Sequence, residues 1–202
     1  MLADRDTHRL AFWVAAVLFV ATVAQLAFGT FVPGIERFED KAFGYRLALG
    51  TAAMVAVPVA WTVARRMGKR VGAVPWWETA LIIGSFFVDA AGNSLDLYDS
   101  YERFDNLSHF LTWLLLLWGL GLLLARTTVR PRWALAAIIV GLGAVLAIGW
   151  EVGEWYTFIR RGYELDGAYE DTLSDQVLGT LGSVVAAVLV DRARHRREVG
   201  AT

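Results

Sequence analysis

Six runs of apolar residues dominate the chain, and short polar segments separate them. Each run can cross the roughly 30 Å hydrocarbon core of a bilayer, which takes about 20 residues of helix. Helices are the expected form because a backbone in lipid must satisfy its own hydrogen bonds. The pattern therefore predicts an all-α polytopic membrane protein, a bundle of six transmembrane helices in a single domain over residues 1–202. The predicted helices cover approximately residues 10–31, 45–64, 76–97, 107–125, 133–158 and 172–190.

Composition agrees with this class and excludes several kinds of site. Hydrophobic residues make up 56% of the chain, which is too apolar for an ordinary soluble domain of this length. The chain has no Cys, so disulfides, thiolate metal sites and a Cys nucleophile are excluded. With only three His, a zinc site built from nitrogen and sulfur ligands is not expected either.

Positive charge is concentrated on one side of this layout. Of the 19 Lys and Arg, 13 fall on the side that holds both termini, so the positive-inside rule places both termini in the cytoplasm. Of the 20 Asp and Glu, 15 fall on the opposite side, which would attract cations and repel free anions. The basic runs at the inner helix ends are expected to contact anionic lipids, and we expect no nucleic-acid partner.

Pairs of ionisable residues lie at three predicted helix ends on the acidic side. Residues three or four apart share one face of a helix, so the members of each pair point in the same direction. The pairs are Glu151 with Glu154, Asp105 with His109, and Asp171 with Asp175. If the three ends meet, the carboxylates and the imidazole suit a divalent metal ion such as Mg²⁺, Mn²⁺, Ca²⁺, Fe²⁺ or Zn²⁺. Beside the first pair, Gly149 and Gly153 predict close packing of a second helix.

Each pair also has a structural explanation. Asp105 and Asp171 can cap the starts of their helices, where a carboxylate suits the positive end of the helix dipole. Capping does not explain His109. Glu151 and Glu154 lie at a helix end where the dipole disfavours anions, so their structural explanation is an ion pair with a nearby cation. The cations available are Arg103, Arg160 and Arg161.

A further carboxylate lies inside the third predicted helix. Asp89 is thirteen residues beyond Trp76, which is about two thirds of the way across at about 1.5 Å per residue. A charge near the middle of a membrane helix costs on the order of 3 kcal/mol, so Asp89 needs a partner, a proton or an ion. Asn93 and Asp96 follow it at i+4 and i+7 on the same face. We therefore count Asp89 among the candidate metal ligands.

Three motifs in the second half of the chain combine these residues. They are Phe104-Asp105 with His109-Phe110, Trp150-Glu151 with Glu154-Trp155, and Asp171-Thr172 with Asp175 and Gly182. This set resembles the YjdF-like family of bacterial inner-membrane proteins and, more distantly, the VanZ-like family. In the YjdF-like pattern Tyr, Gly and Trp stand at the positions of Phe104, Ser108 and Glu170. The resemblance implies a multi-pass protein of the inner membrane, in which these motifs form the important site.

Three functions fit these features. The first is a metal-dependent membrane hydrolase or transferase that acts on a lipid or lipid-linked substrate at the outer leaflet. In it Glu151 or Glu154 is the general base. The second is a cation or proton transporter or an ion-binding channel that uses Asp89, Asn93 and Asp96, although few polar residues continue towards the cytoplasm. The third is a noncatalytic binding or structural membrane protein. For the first, the expected ligands are Asp105, His109, Glu151, Glu154, Asp171 and Asp175.

Overall fold

The structure, a computed structural model, describes residues 2–127, 129–157, 159–161 and 167–199. Within these ranges every regular element is a helix, which confirms the all-α class. The helices are α1 (Leu2–Phe31), α2 (Phe43–Arg66), α3 (Trp76–Ser94), the short α4 (Leu97–Ser100), α5 (Phe104–Leu124), α6 (Arg132–Thr157) and α7 (Ala168–Val199). Two short 3₁₀ turns lie at Glu36–Phe38 and Ile159–Arg161.

Five helices in the described ranges are long and apolar enough to cross a membrane. Their apolar segments are Arg5–Phe31, Phe43–Arg66, Phe104–Leu124, Arg132–Thr157 and Ala168–Arg196. The remaining long helix, α3, does not meet the same hydropathy criterion because it contains Glu78, Asp89 and Asn93. The prediction of six spanning helices is thus confirmed for five of them.

Several helix ends differ from the prediction by three or more residues, among them the starts of α5 at Phe104 rather than residue 107 and of α7 at Ala168 rather than residue 172. Helix α1 begins at Leu2 rather than residue 10, and α7 continues to Val199 rather than residue 190. An apolar run marks only the part of a helix that lies in lipid, whereas polar helix-forming residues extend the helix into water. Helix α3 ends early, at Ser94, and Asp96 then has a φ of 61° in the left-handed region. Residue 158, the last of the predicted fifth helix, lies outside the described residues.

The chain forms two compact units, Met1–Tyr101 and Glu102–Thr202. In the first unit, α1 packs along α3 and α2. Its buried cores consist of Ala15, Met54, Ala80 and Ile83 in one cluster and Leu26, Phe38, Phe43 and Ala90 in another. The expectation of a single domain over the whole chain stays a prediction.

In the second unit, α7 packs against both α5 and α6. The core between them consists of Trp113, Leu117, Leu135, Ile139, Ala147, Ala186, Ala187 and Val190. Glycines allow the helices to approach closely. A methyl group on Gly182 of α7 would lie 2.5 Å from the backbone oxygen of Phe110, and one on Gly179 would lie 2.6 Å from the ring of Trp113. Helix α7 therefore lies almost against the backbone of α5.

The predicted contact at Gly149 and Gly153 is wrong. Both residues are exposed, and a methyl group on either would meet nothing within 4 Å. The buried residues of α6 instead follow a different stripe in steps of four, namely Leu135, Ile139, Gly143, Ala147 and Glu151. Small residues at helical spacing permit close packing, but they do not determine which face of the helix is packed.

Candidate metal centre

Three helix ends bring the predicted pairs together at one end of the second unit. Asp105 and His109 lie in the first two turns of α5. Glu151 is the last member of the buried stripe of α6, so it points between the neighbouring helices. On α7, Asp175 lies four and seven residues before Gly179 and Gly182, so it shares their face towards α5. The same packing that holds the helices together therefore directs these side chains to a common point.

His109 is the centre of the group. Its Nε2 atom lies 3.5 Å from Asp105 Oδ1 and 3.6 Å from Asp175 Oδ2. Its Nδ1 atom, on the other side of the ring, lies 4.0 Å from Glu151 Oε1. Three of these four side chains are buried, with exposed fractions of 8% for His109, 6% for Glu151 and 2% for Asp175. The imidazole thus faces carboxylates with both of its nitrogen atoms.

Glu151 and Glu154 have different surroundings. Glu151 is buried, and the side chain of Thr172 on α7 is close enough to interact with its carboxylate. Glu154 is half-buried, and one of its carboxylate oxygens lies within 4.8 Å of the nearest ligand atoms of His109 and Glu151. Glu151 therefore belongs to the packed interior, whereas Glu154 remains accessible from outside.

Asp105 and Asp171 lie at the edge of the group. Asp105 is half-buried and belongs to one set of possible ligands with His109 and Asp175, all within 4.8 Å of one another. Asp171 is exposed, and its charge acts on the carboxyl groups of Glu151 and Asp175. The structure therefore places five predicted ligands in the two compact sets and Asp171 beside them.

One atom of the group lacks the partner that its burial requires. Asp175 Oδ1 is inaccessible to solvent and has no hydrogen-bond donor in the described part of the chain. Leaving a buried polar atom unpaired costs on the order of 1–3 kcal/mol, and native proteins rarely do so. A cation between Asp175, Asp105 and His109 would compensate the charge of this carboxylate.

The distances fit such a cation. Zinc binds nitrogen and oxygen ligands at about 2.1 Å, which places tetrahedral ligands about 3.4 Å from one another. The separations of 3.5 and 3.6 Å around Nε2 are close to this value, whereas the separation of 4.0 Å on the Nδ1 side is longer. The donor set therefore suits a divalent metal ion, and it suits the Nε2 side of His109 best.

Asp89 lies in the first unit and is not a member of either set. The Nη1 atom of Arg46 donates a hydrogen bond to Asp89 Oδ1, and Asn93 Nδ2 donates another at 3.2 Å. Asp89 and Asn93 are therefore neighbours, as predicted. The partner that the charge of Asp89 requires is Arg46 of α2. Its role as a metal ligand stays a prediction without support from these contacts.

Asp96 does not continue the face of Asp89, because α3 has ended before it. The Nζ atom of Lys41 lies 2.8 Å from Asp96 Oδ1 and 2.5 Å from Asp99 Oδ2. Burial lowers the pKa of Lys41, but the two carboxylates outweigh it and raise the pKa overall. The hydrogen bond from Lys41 in turn lowers the pKa of Asp96. The predicted row of Asp89, Asn93 and Asp96 is thus divided between two cationic partners.

Arg160 and Ser108 make contacts within their own segments of the chain. The guanidinium carbon of Arg160 lies 5.2 Å from the centroid of the Tyr156 ring. The side chain of Arg161 lies outside the described residues. Ser108 donates to the backbone oxygen of Asp105 at 2.9 Å, as expected of a helix-start serine rather than a nucleophile.

Sequence reasoning gave Thr172 only as part of a motif, although it lies three residues before Asp175 and so shares its helical face. It missed Arg46 and Lys41 as the partners of Asp89 and Asp96, because both cations are distant from these carboxylates along the chain.

Five candidate membrane-crossing helices and a buried carboxylate and histidine cluster define a multi-pass helical membrane protein with a candidate metal site. The chain belongs to a family described as predicted membrane protein (DUF2238), whose model matches residues 6–196. This is the YjdF family, so the match agrees with the YjdF-like resemblance. The VanZ-like resemblance stays a prediction. No curated protein and no solved structure matches the chain.

Proposed function

We propose that the protein binds a divalent transition-metal ion at this cluster and uses it for hydrolysis or group transfer on a membrane lipid or lipid-linked substrate. The observation that carries the proposal is the buried Asp175 carboxylate, whose Oδ1 atom has no donor in the described chain and whose Oδ2 atom lies 3.6 Å from His109 Nε2. A buried carboxylate requires a compensating charge. The ligand spacing around Nε2 supports a metal ion as that charge.

The histidine favours a particular class of ion. Imidazole is a good ligand for Zn²⁺ and Fe²⁺, whereas Mg²⁺ and Ca²⁺ prefer sites made of oxygen alone. His109 is buried at the centre of the cluster, where any ion held by the carboxylates would also contact it. We therefore infer Zn²⁺ or Fe²⁺ in preference to Mg²⁺ or Ca²⁺.

The surroundings of the cluster support a lipid substrate. Each of its three helices exposes a large apolar side chain within two residues of a candidate ligand, namely Leu107 (46% exposed) on α5, Trp150 (39%) on α6 and Leu173 (50%) on α7. Such side chains at the end of a spanning helix are expected to contact the bilayer interface. A head group at that depth would reach the cluster while its acyl or isoprenoid chains remain in lipid.

The roles of the protein groups follow from their accessibility. When bound, a divalent cation supplies Lewis acidity for a phosphoryl or carbonyl oxygen. Glu154 is half-buried beside the cluster, so it is placed to take a proton from water as general base. Glu151 is buried, so it is less suited to exchange protons with the outside.

We also infer that α3 is the sixth spanning helix. Its 19 residues extend about 28 Å, close to the thickness of the hydrocarbon core. The contact with Arg46 supports this inference, because it compensates the charge of Asp89 that lowers the hydropathy of α3.

Elemental analysis of the purified protein in detergent tests the metal. We expect Zn²⁺ or Fe²⁺ in the wild type and in Glu170→Gln, a matched control that removes an exposed carboxylate from the first turn of α7. Asp175→Asn and His109→Ala should lose the ion. Retention of the same metal content in both site variants would refute the proposal. Lipid hydrolysis in proteoliposomes, compared with cation flux in the same vesicles, separates the enzyme from the transporter.

A further inference from the structure

The two nitrogen atoms of His109 face different kinds of carboxylate. Asp105 and Asp175 lie 3.5 and 3.6 Å from Nε2, and the second of them carries the unpartnered oxygen. Glu151 lies 4.0 Å from Nδ1 and is close enough to the hydroxyl of Thr172 to interact with it. The Nε2 side therefore has carboxylate oxygens at the spacing of metal ligands, one of them on a carboxylate with an unpartnered atom. The Nδ1 side has a single carboxylate, which can act as a hydrogen-bond acceptor.

An imidazole that binds a single metal ion has one nitrogen left over. In metal sites this second nitrogen usually donates its proton to a carboxylate or carbonyl, which fixes the tautomer and the orientation of the ring. A movement of about 1 Å would bring Glu151 Oε1 from 4.0 Å to hydrogen-bond distance of Nδ1. No backbone change is needed for this, because a glutamate has three rotatable side-chain bonds.

We propose that the ion binds on the Nε2 side, to His109, Asp105 and Asp175, and that Glu151 is a positioning residue for His109. In this arrangement Thr172 orients Glu151, and Glu151 accepts a hydrogen bond from the Nδ1–H group of His109. The Nε2 atom then presents its lone pair to the ion. The inference rests on the proposed metal site and assigns separate roles within it. It differs from the expectation from sequence, in which Glu151 is itself a ligand or the general base.

The competing arrangement places an ion on the Nδ1 side, with Glu151 and Glu154 as ligands. These residues form the second compact set around His109. Occupation of both sides would give two ions per chain with a shared imidazole. Either outcome makes the negative charge of Glu151 essential, whereas a hydrogen-bond acceptor needs only its oxygen.

Glu151→Gln distinguishes these roles. The amide oxygen can accept the Nδ1 proton and the amide nitrogen can donate to Thr172, but a neutral amide replaces a carboxylate ligand poorly. We expect Zn²⁺ affinity, measured by competition with a chelating dye, to change less than about threefold in Glu151→Gln. Glu151→Ala should weaken it about 10–100-fold, the usual effect of losing such a partner. Thr172→Val should weaken it to a smaller extent.

The Co²⁺-loaded protein provides a second measurement. The visible spectrum of bound Co²⁺ reports its ligands, so Glu151→Gln should retain the wild-type spectrum, and Asp105→Asn should change it. Equal loss of Zn²⁺ binding in Glu151→Gln and Glu151→Ala, or two ions per wild-type chain, would overturn the assignment while leaving a metal site in place. Unchanged metal binding in Asp175→Asn would instead count against the proposed function itself.

Discussion

Replacing Gly182 with alanine tests whether the close packing of α7 on α5 positions the proposed metal site. The new methyl group would lie 2.5 Å from the backbone oxygen of Phe110 and 2.9 Å from the backbone nitrogen of Leu114. Backbone atoms of a helix cannot move aside as a flexible side chain can. Because ordinary contacts begin near 3.4 Å, the two helices must separate locally by about 0.9 Å.

This separation has a cost in stability and a consequence at the site. Overpacking of this kind costs about 1–3 kcal/mol. Asp175 lies two helical turns from Gly182 on the same face, so part of the displacement reaches its carboxylate. Ligand distances in metal sites tolerate only about 0.2 Å. We therefore expect Gly182→Ala to lose both stability and Zn²⁺ affinity.

Gly141→Ala is the matched control. Gly141 is exposed in α6, and a methyl group there meets nothing within 4 Å. Both variants gain the greater helix propensity of alanine, so the difference between them isolates the packing term. Unfolding in mixed micelles followed by circular dichroism measures stability, and dye competition measures Zn²⁺ affinity. Equal stability and equal affinity of the two variants would refute the close contact that we describe.

Two further predictions concern the ion pairs of the first unit. Arg46→Met should destabilise the protein by about 3 kcal/mol because it leaves Asp89 without its cation. The double variant Arg46→Met with Asp89→Leu should recover much of this loss. A thermal midpoint of Arg46→Met equal to that of the wild type would contradict the prediction. Lys41 lowers the pKa of Asp96, so their ion pair stabilises the fold at pH values above the usual aspartate pKa of about 3.9. This stabilisation is lost as the pH falls through the lowered pKa of Asp96. The thermal midpoint of Lys41→Met should consequently fall less than that of the wild type below about pH 4; parallel curves would contradict the pairing.

The helices could be predicted from sequence because lipid imposes a simple requirement on length and hydropathy. The end of α3 could not, because it depends on a tertiary contact. The apolar pattern continues past Ser94 to Leu97, yet Asp96 adopts a left-handed conformation and pairs with Lys41 of a distant segment. Local spacing carries no information about such a partner.

The candidate site was predictable to the extent that it depends on helical faces. Spacings of three and four residues correctly grouped Asp105 with His109, and the structure adds Glu151 and Asp175 around the same imidazole. Which faces meet is decided by packing, and here the sequence misled. The glycines at 149 and 153 suggested a contact, whereas the buried stripe that ends at Glu151 lies on another face.

Helix α7 connects the site mechanically to the opposite end of its unit. Its 32 residues form a rod of about 48 Å. Near one end Asp175 faces His109, and near the other Asp191 accepts two hydrogen bonds of 2.9 Å from Arg132. Between these ends the helix is packed tightly, at Gly182 against α5 and at Ala186 and Val190 in the core of the unit. A continuous rod held in this way transmits a displacement along its length, so breaking the Arg132 contact is expected to shift the carboxylate beside His109 from the opposite end of the helix.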